Sequence, residues 1–203
     1  MKKTNHILLI IFFLTINLIQ AQEEKESKFN IIAYAGVGYG ILENNNEQNY
    51  YTNSNNADIL LNYKLNQKFG IATGVGMNEL SGNGHNSIGA FSHERRLIKI
   101  PFLATMDYSI SDNFKALTNL GVYGQYIAKD EYLFINKLQK DMHDDWNYGL
   151  QLGLGFVFEI LNKFSVGVNY CGQYDFFSKF ETIYKQKKMK SLNSFGFILL
   201  IES

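Results

Sequence analysis

Between Tyr148 and Ile160 the chain places a large apolar residue at every second position: Tyr148, Leu150, Leu152, Leu154, Phe156, Phe158 and Ile160. The alternate positions hold Gly149, Gln151, Gly153, Gly155, Val157 and Glu159. This period of two predicts a β-strand with one apolar face and one small or polar face. Seven further segments carry the same pattern. Phe29–Gly40 sets Phe29, Ile31, Ala33, Ala35, Val37 and Tyr39 against a face that ends in Gly36, Gly38 and Gly40. Ala57–Leu65 alternates Ile59, Leu61 and Tyr63 with Asp58, Leu60, Asn62 and Lys64. Phe69–Asn78 sets Phe69, Ile71, Val75 and Met77 against Gly70, Ala72, Gly74 and Gly76. Arg96–Tyr108 sets Ile98, Ile100, Phe102, Met106 and Tyr108 against Lys99, Pro101, Leu103, Thr105 and Asp107. Phe114–Ala128 is less regular, with Leu120 and Val122 opposed to Asn119, Gly121 and Gln125. Phe164–Cys171 and Leu192–Glu202 complete the set, and no segment has a convincing helical period. The chain reads as all-β.

The spacing between these segments chooses among β architectures. Short connections at 66–68, 111–113 and 161–163 alternate with long ones at about 41–56, 79–95, 129–145 and 178–190. In an up-and-down sheet all short turns then lie at one end and all long loops at the other. That is the layout of an eight-stranded antiparallel transmembrane β-barrel with short periplasmic turns and long extracellular loops. Greek-key sandwiches break such alternation. With the long loops outside, Phe29, Tyr63, Phe69, Tyr108, Phe114 and Phe164 fall at the short-turn end of the apolar face. Tyr39, Tyr148, Tyr174 and Phe176 fall at the other end. Two aromatic rings flanking an aliphatic band are expected at the two membrane interfaces. The apolar face therefore points outward, so that Leu150, Leu152, Leu154, Phe156, Phe158, Ile98, Ile100 and Phe102 are expected to touch lipid. The inward set is expected to form a polar plug of Asn62, Lys64, Lys99, Asp107, Asn119, Gln125, Gln151, Glu159, Asn169 and Asp175, with Gly153 and Gly155 leaving room for Gln151 and Glu159. An eight-stranded lumen is filled by such side chains, which disfavours a pore.

The first residues change the compartment. Lys2 and Lys3 precede a mostly apolar run from Ile7 to Ile19, and Ala21 follows at a plausible cleavage point. This is the pattern of a secretory signal peptide over residues 1–21, which leaves 22–203 as a single barrel domain. The run is shorter than the roughly 20 residues that a spanning helix needs. Lys plus Arg and Asp plus Glu are 19 each, a balance that gives no electrostatic reason for a nucleic-acid partner. Cys171 is the one cysteine, so no internal disulfide can form. Pro101 is the one proline and sits awkwardly in a strand that must pair on both sides.

Leu97-Ile98-Lys99-Ile100-Pro101-Phe102-Leu103, Leu120-Gly121-Val122-Tyr123-Gly124, Asp145-Trp146-Asn147-Tyr148-Gly149 with Gly153-Leu154-Gly155, and the closing Asn193, Phe195, Gly196 and Phe197 resemble the PorT-type outer-membrane β-barrel proteins. The resemblance runs from Phe29 to the C-terminus. It implies a small exported barrel in the bacterial outer membrane, inserted by the assembly machinery. It carries over no catalytic motif and no cofactor, and some members of that family are implicated in a protein-secretion and gliding apparatus. Where such barrels often end in an aromatic, this chain ends Leu199-Leu200-Ile201-Glu202-Ser203, which shifts the expected insertion signal to Phe195 and Phe197.

Candidate chemistry is confined to the predicted loops. His85, His93 and His143, with Glu94, Asp141, Asp144 and Asp145 beside them, supply the raw material of a His–carboxylate pair on the barrel rim, although no spacing specifies one. Residues 141–145 carry carboxylates for a hard cation but lack the alternation and Gly of a calcium loop. Lys185-Gln186-Lys187-Lys188-Met189-Lys190 is a basic run suited to phosphates or acidic sugars. The stretch ENNNEQNYYTNSNN reads as a polar loop whose amides and tyrosines suit a partner surface. The leading expectation is a non-enzymatic barrel whose loops contact a protein partner or the cell surface. A rim enzyme using a loop His and a soluble lipocalin-like carrier are the alternatives.

Overall fold

A computed structural model describes residues 28–43, 48–86, 89–135, 137–140, 146–178 and 188–203. The apolar/polar alternation is realised as β1 (Phe29–Leu42), β2 (Tyr50–Lys64), β3 (Phe69–Asn86), β4 (Gly89–Ser111), β5 (Phe114–Phe134), β6 (Lys137–Lys140), β7 (Trp146–Leu161), β8 (Phe164–Ser178) and β9 (Met189–Glu202). All neighbours are antiparallel, and the sheet closes on itself when β1 pairs with β9 from Asn30↔Glu202 to Leu42↔Met189. Eight strands form the barrel, and β6 is a short flap hydrogen-bonded to the outer end of β5. The fold class is thus the closed eight-stranded antiparallel barrel that the alternation predicts. Among the described residues no helix is long and apolar enough to cross a membrane, which says nothing about strands.

At one end the connections are tight. Asn66 Oδ1 accepts from the backbone N–H of Lys68 and of Phe69, both at 2.9 Å, a local amide turn that needs no glycine. Lys163 takes φ 68° in the β7–β8 turn. At the opposite end the strands run further than the apolar pattern reaches. Most of the predicted 41–56 and 79–95 loops is strand: β2 begins at Tyr50, β3 runs to Asn86 and β4 starts at Gly89. The second half of the ENNNEQNYYTNSNN stretch, Tyr50–Asn56, is therefore the first half of β2 rather than a loop. The physical reason is that an amphipathic period exists only where one face meets an apolar medium. Above that height the outward face is polar, and on β2 the inward Thr52, Ser54 and Asn56 are polar too, so no period marks the strand.

The structure turns the apolar face outward. Leu150, Leu152, Leu154, Phe156, Phe158, Ile98, Ile100 and Phe102 are all exposed on the barrel wall. Tyr63, Phe69 and Tyr108 lie on the same face toward the tight turns, and Tyr39, Tyr148 and Tyr174 lie toward the other end. Phe114 and Phe164 are half-buried, with Phe114 stacked on Phe156 at 6.0 Å between centroids. Pro101 points inward. On its β3 side the ladder skips Gly74–Val75 opposite Ile100–Pro101, and Thr73 Oγ1 donates to the Pro101 carbonyl at 2.8 Å across the gap.

Closure at the β1–β9 seam depends on Gly196. A Cβ there would lie 1.9 Å from the Ala35 carbonyl oxygen and 2.4 Å from the Gly36 Cα. Gly196→Val is expected to cost at least about 1–3 kcal/mol by overpacking. Urea titration of the refolded protein in detergent, read by heat-modifiable gel migration, checks this. Unchanged stability would remove the seam from the closure account.

Candidate functional site

The inward faces fill the lumen in five tiers, from the tight-turn end outward. The first is an ionic rim. Lys64 Nζ lies 3.0 Å from Glu202 Oε1 and 3.6 Å from Asp107, and Lys115 reaches the other Glu202 oxygen. Thr105 Oγ1 donates to buried Asn62 at 2.8 Å. The second tier is apolar, built from Ile32, Leu60, Ala72, Leu103, Leu117, Val157, Ile198 and Leu200, with Tyr34 at its upper edge. The third is polar: Lys99 Nζ donates to Asp58 Oδ2 at 2.9 Å and to Gln151 at 2.7 Å, and Asn119 donates to the Tyr34 hydroxyl at 2.9 Å. Lys99 is fully buried, and its ammonium lies 5.8 Å from the centre of the Tyr123 ring.

The fourth tier is an amide and carboxylate network. Asn78 donates to Gln173 at 2.9 Å, and Asp175 accepts from the Tyr123 hydroxyl at 2.6 Å, from Gln125, from Asn147 and from the Met189 N–H. The fifth is apolar and aromatic, with Leu42, Leu80, Leu97, Ile127, Met189 and Leu192 under Tyr50, Phe91, Tyr132 and Phe134. The lumen is therefore not the continuous polar plug that the inward residues suggest. Two apolar tiers flank the third and fourth, polar ones. Glu159 stands at the tight-turn rim, where it accepts the Lys163 N–H at 3.3 Å. The space that Gly153 leaves is taken by Asn119 of β5, and that beside Gly155 by Ile198, rather than by Gln151 and Glu159. Asn169 is buried on the β8 wall.

Inside the fifth tier sits a charged group that the sequence pattern does not reveal. Arg95 Nε donates to Asp130 Oδ1 at 2.8 Å and its terminal nitrogen to Oδ2 at 3.2 Å. His93 Nε2 lies 2.7 Å from Asp130 Oδ1, and Nδ1 lies 2.7 Å from the Tyr50 hydroxyl. The imidazole stacks on Tyr132 at 4.1 Å. Burial pushes the Tyr132 phenol up to about 12 and the Tyr50 phenol further, so both stay protonated near neutral pH. Asp130, a carboxylate held by Arg95, can only accept, so the proton on Nε2 is directed at it, and the Tyr50 hydroxyl completes the line at Nδ1.

Of the candidate histidines, His93 is buried in this cluster and His85 is exposed on β3, while His143 lies outside the described residues, as do Asp141, Asp144 and Asp145. Glu94 faces outward from the strand on which His93 faces inward, where it accepts from Lys129 at 2.8 Å, so no His–Glu pair forms between these neighbours. Lys185, Gln186 and Lys187 of the basic run also lie outside the described residues, whereas Met189 and Lys190 begin β9, with Met189 buried. Asp130 escapes a sequence reading because the β4–β5 register shifts between Arg96↔Lys129 and Leu97↔Ile127, which bulges Ala128. Before the bulge odd-numbered residues of β5 face inward; after it Asp130, Tyr132 and Phe134 do. Among the described residues no group of His, Cys, Asp and Glu is arranged to hold a metal.

The arrangement accommodates lipid outside and closes the lumen inside. The chain matches the model of the outer membrane protein beta-barrel domain family over residues 20–181. It belongs to that family. As a member of this outer-membrane family it is a protein of the bacterial outer membrane. Its backbone is similar to that of Neisserial surface protein A, with a TM-score of 0.57 and 12% identity over 89% of this chain and 100% of that one. OprG of Pseudomonas aeruginosa (TM-score 0.44, 12% identity, 88% of this chain and 98% of that one) and the Yersinia pestis attachment invasion locus protein Ail (0.44, 9%, 87% and 98%) are also similar. No curated protein matches the chain.

The third tier makes a quantitative expectation. Lys99→Met leaves Asp58 buried beside no cation, and removing one partner of a buried pair costs about 3–5 kcal/mol. Lys99→Met with Asp58→Asn is expected to recover most of that loss. A double-mutant cycle in urea checks it, and additive losses would show that the two side chains act independently.

Proposed function

We propose that the protein is a non-enzymatic outer-membrane barrel, a structural or interaction component that presents its extended β1–β5 wall to the outside. The observation that carries this is the contrast between a filled lumen and a projecting polar surface. The apolar second tier interrupts the polar column, and an eight-stranded barrel offers its interior for packing rather than transport. Beyond the outward row Ala57, Met77 and Ile98, the same strands continue with Asn55, Asn53, Glu79, Ser81, Arg96 and Glu94 on their outer face. A surface of this kind serves contact with a partner.

In this reading Leu150, Leu152, Leu154, Phe156, Phe158, Ile98, Ile100 and Phe102 meet lipid. Tyr39, Tyr63, Phe69, Tyr108, Tyr148, Phe164, Phe114 and Tyr174 mark the two interfaces. Residues 1–21 act as the export signal that is removed before the assembly machinery inserts the barrel. The line Tyr50–His93–Asp130 has the spacing of a hydroxyl–imidazole–carboxylate relay, yet His93 and Asp130 are fully buried, and its role is to lock β2, β4 and β5 together above the membrane. The likeness of the Ile100-Pro101 strand to the PorT-type proteins makes a secretion-apparatus component the first protein partner to test by pull-down from outer membranes.

Leu152→Arg, near the middle of the apolar wall, is expected to cost about 2–4 kcal/mol, and Trp146→Arg at its edge no more than about 1. Fractionation and heat-modifiable migration read the difference. Single cysteines at Asn53 and Ser81 are expected to react with an impermeant maleimide on intact cells, with Cys171 silent because it is buried. A freely soluble periplasmic protein, or equal tolerance of Arg at both heights, would overturn this reading.

A further inference from the structure

The outer wall carries a groove that neither the barrel nor its membrane seat requires. β2 and β3 pair as far as Thr52↔Gly82 and then separate. β2 stays with β1 up to Leu42↔Tyr50, while β3 stays with β4 up to Asn86↔Gly89. The divergence opens a cleft of about 630 Å³, within the roughly 300–1,000 Å³ typical of small-ligand sites. Tyr39 and Tyr51 form one side, Ser81 and Asn83 the other, and Asn53 lies at the base, paired across the sheet with Tyr39 and Ser81.

Three properties define what fits. The two tyrosines stand in the open, at 51% and 71% exposure, and are diagonal neighbours on adjacent strands. Among the described residues, the side chains of Tyr39, Tyr51, Asn53, Ser81 and Asn83 make no hydrogen bond within the protein, so their hydroxyls and amides are uncommitted. The described lining contains no Asp, Glu, Lys or Arg. The charges of this wall lie in the adjoining cleft and pair with one another: Arg96 with Glu79 at 2.8 Å, Lys129 with Glu94 at 2.8 Å and with Glu131 at 3.0 Å.

We propose that this groove binds a neutral saccharide chain. Rigid aromatic faces suit the C–H faces of a sugar ring, and side-chain amides and hydroxyls both donate and accept, as the hydroxyls of a sugar do. An anionic sugar would find no Lys or Arg in the described lining, only the His85 imidazole at one end of the groove, and would lose most of its hydration without recompense. The proposal rests on the reading that this end faces outward. There Tyr39 and Ile41 end the apolar belt of β1, so the groove opens at the level where the carbohydrate of the outer leaflet begins. The chain could belong to a membrane glycolipid or to a free polysaccharide; the recognition chemistry is the same.

The test uses the folded barrel in detergent and in nanodiscs, with folding verified for each variant by heat-modifiable migration. It is exposed to an array of neutral glucose-, mannose-, galactose- and N-acetylglucosamine-based oligosaccharides with sulfated counterparts. Saturable binding to a neutral oligosaccharide is expected, weakened at least about tenfold by Tyr51→Ala. Asn83→Asp, which keeps the shape and adds a charge, is expected to weaken it too, and Leu133→Ser, outside the groove, is not. Nanodiscs with glycolipid bearing or lacking its sugar chain then distinguish a membrane-anchored source from a free one. The proposal is overturned if no neutral sugar binds, if Tyr51→Ala and Asn83→Asp leave binding unchanged, or if sulfated forms bind more tightly. Extended peptides captured at the groove in place of any sugar would overturn it as well, and would assign the splayed edge of β3 to strand addition. Fractionation and surface labelling decide the barrel reading separately, so a failure here leaves that reading standing.

Discussion

Closing eight strands into a cylinder leaves a lumen only as wide as the side chains that fill it, and this limit governs the rest of the molecule. Several polar side chains that enter the lumen lie against a glycine: Asn56 Oδ1 over Gly36, Asp58 over Gly76, and Asn119 over Gly153. A Cβ at Gly76 would come 1.9 Å from Asp58 Oδ1, so the Asp58–Lys99 pair exists because β3 has nothing to put in that place. The glycines of β3 and β7 thus follow from what the opposite wall carries as much as from β-propensity, which disfavours them.

A filled lumen also determines how its charges are held. Lys99 and Asp58 are sealed between apolar tiers, and Arg95 and Asp130 are sealed under aromatic rings. Ions so placed depend on close pairing and hydrogen bonding, which Asp58 meets through Oδ2 alone, its Oδ1 having no hydrogen-bond partner among the described residues. Lys99 reaches both a carboxylate and an amide, and Asp130 takes Arg95 through two contacts together with His93. Each cluster draws on several strands: Asp58 on β2, Lys99 on β4 and Gln151 on β7 meet at one height. Such a meeting exists in only one register, because a slip of one residue would turn every inward side chain outward.

The sequence exposes this fold where a period of two meets a change of medium. The apolar wall, the tight turns at Asn66 and Lys163 and the aromatic positions are legible because lipid outside and packing inside impose opposite demands on alternate residues. Legibility stops where that contrast stops. Tyr50–Asn56 reads as a polar loop because both faces of β2 are polar above the belt, and its strand character comes from pairing with β1 and β3, which is non-local. His93 reads as a loop residue for the same reason. Asp130 is hidden by a single extra residue, Ala128, which reverses the parity of β5 beyond it. The alternation of lumen tiers is hidden more deeply, since Leu60, Leu103, Ile198 and Leu200 share the inward parity with Asp58 and Lys99, and only the shape of the closed barrel separates them.

The belt is also uneven around the barrel, and that unevenness connects the membrane seat to the outer surface. On β1 the outward apolar residues run from Phe29 to Ile41 and on β7 from Tyr148 to Ile160, but on β2 they stop at Ala57, with Asn55 and Asn53 next. The β2–β3 sector therefore becomes polar closer to the mid-height of the wall than the β7–β8 sector, where Tyr174 and Phe176 continue the apolar surface outward. A barrel with such a belt sits with its β2–β3 side raised or with the bilayer thinned against it, since exposed amides are costly in hydrocarbon. Either adjustment brings the splayed end of β2 and β3, with Tyr51 and Asn83 on its flanks, clear of the lipid tails. Arg95, Asp130 and His93 are buried on β4 and β5 next to this sector and tied to β2 through Tyr50, so the part of the wall that turns polar first adjoins the buried ionic cluster.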